Sequence, residues 1–184
     1  YLEELEQCGF VRKYLAFGKI GKDALFQLVD NFTLFYFCFR TAIQRGAENY
    51  WLEKLDAQSH VVWTGLAFER VCLLHVQQIR IALGISGVAT NVCSWSGADE
   101  NGRRAQIDLL LDRNDRVITL CEMKFADEAY ALTKKDIESL RHKRAAFRFA
   151  TGTRRAVHLT MVTAEGLEHN SYRNEIQREL TLDN

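Results

Sequence analysis

Long apolar segments are absent from this sequence of 184 residues. No stretch approaches the roughly 18 uncharged residues that a membrane-spanning helix needs, and no signal peptide is recognisable. We therefore expect a soluble, cytoplasmic protein with no membrane partner. The 24 basic and 24 acidic residues cancel, so the net charge identifies no partner, although local charge clusters can. Proline is missing altogether, an absence that nothing in the sequence explains.

Cysteine and histidine patterns typical of zinc sites are also missing. The five cysteines are odd in number and widely spaced, and none belongs to a CxxC pair. We therefore expect buried, reduced thiols. The five histidines form no HExxH or comparable pair, which disfavours zinc hydrolase chemistry.

The stretch 105–124 places charged residues inside two apolar, strand-like runs. Residues 107–111 and 117–121 are rich in Ile, Leu and Val, and R-N-D-R between them is a turn signal, so a β-hairpin is predicted. Three charged residues interrupt the pattern: Asp108, Glu122 and Lys124. One explanation is a surface hairpin with a cross-strand salt bridge, which costs little. The other is a functional site.

The register of the hairpin determines whether Asp108 lies on the same face as Glu122 or on the opposite face. A three-residue loop centred on Asp115 sets Asp108 directly across from Glu122, with Cβ atoms about 5 Å apart. A two-residue loop puts the two carboxylates on opposite faces. We favour the three-residue loop, since two carboxylates at that separation can share a divalent cation such as Mg²⁺ or Mn²⁺.

A third acid precedes the hairpin on a long helix predicted over 60–84. The wheel neighbours of Glu69 at helical spacing are apolar: Val62, Leu66, Cys72, Leu73 and Val76. Glu69 is thus expected to lie in the apolar stripe of the helix. An ionised carboxylate in that position is costly unless it is paired or bound to a metal.

The N-terminal part, residues 1–56, is predicted to be a winged-helix remnant with a helical linker, and 57–184 a separate domain. Its expected elements are a helix at 1–8, strand-like segments at 10–17 and 24–29, a helix at 31–44 capped by Asp30, and a helix at 47–55. The aromatic side chains of 31–44 are too dense for an exposed helix, so we expect it to pack against a neighbour. Further strands are expected at 88–95, 156–163 and near 177–182.

A helix predicted over 131–149 has a basic outer face. Ile137, Leu140 and Phe147 are expected to face inward. The candidate phosphate contacts are Lys134, Lys135, Arg141 and Arg148, three of which recur every seven residues. This stripe is either a solvated helix face or a surface that contacts DNA phosphates.

The order of helix, strand, strand, strand with Phe68-Glu69, Ile107-Asp108 and Glu122-x-Lys124 resembles the PD-(D/E)XK nuclease superfamily. Over nearly its whole length the chain is also similar to the C-terminal region of a family of bacterial and archaeal AAA-type ATPases. The stretches behind this second resemblance are LVDNFTLFYFCFR, WTGLAFERVCLLHVQQIRIALGI, AQIDLLLDRNDRVITLCEMKF and VTAEGLEHNSY.

The resemblance to the PD-(D/E)XK superfamily implies a restriction-endonuclease-like α/β core, with a mixed sheet of four or five strands flanked by helices. It further implies that Glu69, Asp108 and Glu122 bind Mg²⁺ or Mn²⁺, that Lys124 is catalytic, and that DNA phosphodiester bonds are hydrolysed. Ile107 stands where the family signature has proline. No Walker A loop is present, so we expect a longer chain with a separate ATPase portion. The alternative is a catalytically inactive domain that docks nucleic acid or a partner for the ATPase.

Overall fold

A computed structural model describes residues 1–19, 24–44, 49 and 57–183. In chain order the helices are α1 (Leu2–Gln7), α2 (Asn31–Gln44), α3 (Gln58–Leu74), α4 (Val76–Ala82) and α5 (Lys134–Thr151), with a 3₁₀ helix at Ser171–Glu175. The strands are β1 (Val11–Ala16), β2 (Leu25–Leu28), β3 (Thr90–Ala98), β4 (Arg104–Arg113), β5 (Val117–Lys124), β6 (Ala156–Thr163) and β7 (Arg178–Leu180). No helix within these ranges is long and apolar enough to cross a bilayer.

The strands of the described chain form one mixed sheet of seven, in the order β2-β1-β3-β4-β5-β6-β7. Strands β3, β4 and β5 are antiparallel, and β6 and β7 continue parallel to β5. The expected α/β class is confirmed. The sheet is wider than the four or five strands predicted, because the hairpin β1–β2 extends it through a parallel pairing of β1 with β3.

Helices cover both faces of the sheet. On one face, Leu110 and Leu120 pack with Leu140 and Phe147 of α5. On the other face, Leu109 and Cys121 join a second apolar cluster that includes Phe68, Cys72 and Leu73 of α3. Buried strands with apolar side chains on both faces account for the near-continuous apolar runs in the sequence.

Helix α2 begins as predicted, because the Asp30 carboxylate accepts a hydrogen bond from the Thr33 amide at 2.7 Å. The helix packs through Phe35 and Phe39, whose rings contact Trp63 of α3. Phe32 remains 78% exposed, so only one side of this aromatic helix is covered. The helix predicted over 47–55 falls, apart from Asn49, outside the described residues, and the domain boundary at 56/57 stays a prediction.

The single helix predicted over 60–84 is wrong, since the chain breaks at His75 into α3 and α4. The backbone of His75 has φ −107° and ψ 31°, and its Nδ1 lies 2.8 Å from the Val71 carbonyl oxygen. The His75 side chain shares this acceptor with its own amide, which still donates to the Val71 carbonyl at 3.1 Å, so the break is a local change of backbone angle between two nearly continuous helices. Helix α4 then ends at Gly84 as expected, with φ +71° and an Ile85 amide bonded back to Arg80 O at 2.9 Å.

Candidate active site

The hairpin β4–β5 has the register that the three-residue loop requires. Leu109 pairs with Cys121 and Asp112 with Ile118, so the loop is 114–116, centred on Asp115. Arg116 closes it with φ +68°, the left-handed residue that such a loop uses. The predicted register is confirmed, and Asp108 and Glu122 occupy the next opposed positions.

Strands β4 and β5 separate at that point. Their pairing ends at Leu109, whereas β4 continues beside β3 and β5 continues beside β6 as far as Lys124. We call this opening, between Asp108 on β4 and Glu122 on β5, the fork. Two charged residues inside apolar strands are tolerated here because each has a polar partner, Gln106 for Asp108 and two lysines for Glu122.

A bulge in β4 sets the direction of Asp108. Cys93 pairs with Leu110 and Trp95 with Ile107, so one residue of β3 faces two of β4. The Asp108 carboxylate accepts a hydrogen bond from the Gln106 amide at 2.6 Å, and it lines a cleft together with Leu73 of α3. Asp108 is therefore turned toward α3.

Glu122 is turned toward the other helix layer and is held by two lysines. Its Oε2 is 2.6 Å from Lys143 Nζ on α5, and its Oε1 is 3.3 Å from Lys124 Nζ. The side chains of Glu122 and Lys143 are 18% and 19% exposed, and that of Lys124 is 37% exposed. The shared face predicted for Glu122 and Lys124 is confirmed. The side-by-side orientation expected of Asp108 and Glu122 is wrong, because the bulge redirects Asp108.

Glu69 lies on α3, where it is within electrostatic reach of both other acids. Burial raises the pKa of Glu69, and the charges of Asp108 and Glu122 raise this pKa further, while Arg70 and Lys143 lower it. The apolar stripe expected around Glu69 is only half present, since Cys72 and Leu73 are buried but Val62 and Leu66 are exposed. Glu69 thus sits at the margin of the core, facing the fork.

The chemistry of these side chains suits a hard divalent cation. Carboxylate oxygens are the ligands that Mg²⁺ and Mn²⁺ prefer, and a cation would relieve the repulsion that raises the pKa of Glu69. In the arrangement that the described residues adopt, no three Asp, Glu, His or Cys side chains are grouped around one point. For these acids to share one cation, Glu122 would have to release Lys143, and Asp108 and Glu122, which are turned toward opposite helix layers, would have to reorient.

Two basic residues near the fork were not singled out from the sequence. Lys143 lies three residues after Leu140 and four before Phe147, so it falls on the inward stripe of α5. The rule that selected Glu69, a charge on an apolar stripe, would have found it. Arg12 on β1 lines the same cleft as Asp108 and has no comparable local signal.

The basic face of α5 is less free than its sequence indicates. Arg141 forms a bidentate ion pair with Glu175, which raises the pKa of Arg141 and lowers that of Glu175. Lys134 lies 3.8 Å from Glu138. Lys135 and Arg148 are exposed. Whether this face contacts DNA stays a prediction.

Neither a protein-family model, nor a curated protein, nor a solved structure matches this chain.

Proposed function

We propose that this chain is a nuclease-like domain that hydrolyses DNA phosphodiester bonds with Mg²⁺ or Mn²⁺. The observation that carries the proposal is that Glu69, on α3, lies within electrostatic reach of both Asp108 on β4 and Glu122 on β5, so that three acids from three different elements surround the fork. A salt-bridged surface hairpin gives no reason for the third acid to come from a helix. The resemblance of these positions to the PD-(D/E)XK signature supports the same conclusion.

Each residue of the fork has a definite task in this proposal. Asp108, Glu122 and Glu69 would hold the cation, which when bound would polarise the phosphoryl oxygen and acidify the attacking water. Lys124 has the more exposed of the two ammonium groups on Glu122, so it is the one that can position that water or the phosphate. Lys143 neutralises Glu122 while the metal is absent.

We further infer that the domain belongs to an AAA-type ATPase and that its core is of the restriction-endonuclease-like kind. The support is the sequence similarity together with the order of elements: a helix with an acid, an antiparallel set of three strands, a helix and a parallel strand. On this interpretation the hairpin β1–β2 is the end of a winged helix. The ATPase portion of the longer chain would act on DNA together with the nuclease site at the fork.

A second candidate is a domain that docks nucleic acid or a partner for the ATPase without cutting. The observation that favours it is the pairing of Glu122 with Lys143 at 2.6 Å, which satisfies this carboxylate without a metal. The two candidates differ in one measurable property, because only the nuclease needs Glu122 to exchange its lysine for a cation.

Nicking of supercoiled plasmid DNA in Mg²⁺ or Mn²⁺ tests the proposal. We expect the wild-type chain to nick, and Asp108→Ala and Lys124→Ala to lose activity by orders of magnitude, since each removes a group that acts on the transition state. Asp127→Ala and Lys13→Ala are matched controls, since both positions are exposed and lie outside the fork.

Equal nicking by wild type and Asp108→Ala would assign any cleavage to a contaminant. Metal-independent DNA binding without cleavage, unchanged in Lys124→Ala, would favour the docking domain.

A further inference from the structure

The hairpin β1–β2 brings a cation to the edge of the fork. β1 joins the sheet beside β3 through Leu15 and Ala16. The cleft between them, about 170 Å³, is lined by Arg12 and Tyr14 from β1 and reaches Asp108 on β4. Residues predicted to lie in a separate N-terminal segment therefore contribute directly to the surroundings of a candidate site residue.

The Arg12 side chain is held in place at this cleft. Its Nε donates to Gln27 Oε1 at 3.2 Å, one Nη donates to the Leu73 carbonyl at 3.4 Å, and the guanidinium stacks over the Tyr14 ring at 4.8 Å. A guanidinium has five N–H donors in all, so these two neutral acceptors leave donors for a ligand. Within the described part of the chain, the group is oriented by neutral acceptors and forms no ion pair with a carboxylate.

The electrostatic surroundings of Arg12 point toward the acids. Burial lowers the pKa of Arg12, and the charges of Tyr14, Glu69 and Asp108 raise it. An anionic DNA strand that approaches three carboxylates is repelled, and a fixed cation beside them offsets that repulsion. Arginine suits this purpose because its planar guanidinium binds phosphate oxygens bidentately.

The other lining groups have the chemistry of a phosphate site. Ser94, Ser96 and Gln106 surround the cleft with hydroxyl and amide donors. Its volume is well below the roughly 300 to 1,000 Å³ of a typical small-molecule pocket. The cleft is thus large enough for a phosphate group.

We propose that Arg12 binds a backbone phosphate of the DNA strand that lies across the fork, so that the N-terminal hairpin supplies a substrate-positioning residue. This inference rests on the proposed function, since it takes the fork to be a DNA site. It does not require cleavage. The competing explanation is that Arg12 only ties the hairpin to α3 through Leu73, and a purely structural tie has no effect on phosphate contacts.

Fluorescence anisotropy with a labelled 12-nucleotide single-stranded DNA in Ca²⁺ separates the two explanations. We expect Arg12→Ala to weaken binding roughly tenfold, the value of one charge-assisted contact. The number of phosphate contacts inferred from the salt dependence of binding should fall by about one. Arg12→Lys keeps the charge but not the planar guanidinium, so its loss of affinity should be smaller. Lys13→Ala is the matched control, because Lys13 points to the other face of β1 and is exposed.

A series of oligonucleotides, each with one neutral methylphosphonate, identifies the contacted phosphate. At one position the difference between wild type and Arg12→Ala should vanish, since the charge that Arg12 binds is gone. A melting-temperature measurement on each variant shows whether it is folded. Should Arg12→Ala not fold, the same cycle is run with Arg12→Lys.

Binding by Arg12→Ala equal to wild type, or an equal loss in Lys13→Ala, would overturn the inference and leave the nuclease proposal intact. The absence of any methylphosphonate position that removes the difference would also overturn it. If one methylphosphonate position removes the difference between wild type and Arg12→Ala while wild type never nicks plasmid, the phosphate subsite is supported and the proposed hydrolysis fails. Failure of wild type to bind DNA would overturn both.

Discussion

Replacing Lys143 by Met should lower the stability of the metal-free protein and increase the stabilisation that Mg²⁺ provides. The substitution keeps the aliphatic stem, which lies against Ile107 and Leu159, and removes the ammonium group. Glu122 then loses its contact at 2.6 Å and retains Lys124 at 3.3 Å. The metal-free protein is destabilised, and Glu122 becomes free to bind a cation.

The magnitude follows from the burial of the pair. Both side chains are about one-fifth exposed, so the contact is neither a surface pair worth under 1 kcal/mol nor a fully buried one worth 3 to 5 kcal/mol. A charge-assisted hydrogen bond of about 1.5 to 2 kcal/mol is the middle estimate, because Lys124 still compensates part of the charge. In a domain of this size that corresponds to roughly 3 to 8 °C in melting temperature.

Differential scanning fluorimetry in EDTA and in Mg²⁺ measures both effects. We expect Lys143→Met to melt lower in EDTA and to gain more from Mg²⁺ than wild type, since a cation at tenfold excess over its Kd stabilises by about 1.4 kcal/mol. A double-mutant cycle with Glu122→Gln measures the interaction energy between Lys143 and Glu122. Lys135→Met, on the exposed face of the same helix, is the control. A zero coupling energy, or a Mg²⁺ increment that does not change, would refute the reasoning.

Two further substitutions have signs fixed by the structure. Because burial, Asp108 and Glu122 raise the pKa of Glu69, its ionised form costs stability above the folded-state pKa, and the cost disappears as the pH falls below the unfolded value of 4.5. Urea denaturation should therefore find Glu69→Gln more stable than wild type at pH 7, with the difference shrinking toward about pH 4, and a less stable Glu69→Gln at pH 7 would contradict this. Arg116→Gly relieves a left-handed residue at φ +68° and should raise the free energy of unfolding by about 0.5 to 1 kcal/mol, whereas a decrease would show that the arginine side chain contributes a stabilising contact.

The hairpin register was predicted from chemistry, because only a three-residue loop opposes two carboxylates that can share a cation. The turn sequence predicts a hairpin but leaves both a two-residue and a three-residue loop open. The bulge was not predictable, because an extra residue in β4 depends on how β3 pairs with it. The direction of Asp108 depends on that bulge, which is why the sequence predicts the position of this carboxylate correctly and its orientation wrongly.

The contributions of Lys143 and Arg12 differ in how far a sequence could reveal them. Lys143 interrupts an apolar stripe at helical spacing, so periodicity alone marks it. Arg12 reaches the cleft only because β1 pairs with β3, a contact between distant parts of the chain. Helix α3 shows the opposite error, since a continuous periodic pattern concealed the break at His75.

The attachment of the hairpin β1–β2 also has a consequence for the order of folding. Arg12 contacts Leu73 across 61 residues of chain, whereas β4 and β5 are joined by a three-residue loop. Loop closure over a length about twenty times greater costs roughly 2.7 kcal/mol more in entropy, so the local hairpin forms first and β1 docks late. We expect a folding intermediate in which β4 and β5 are already paired while Arg12 is still in solvent. Assembly of the cleft would then be the last event of folding, and destabilising β1 would empty the cleft before it unfolds the sheet.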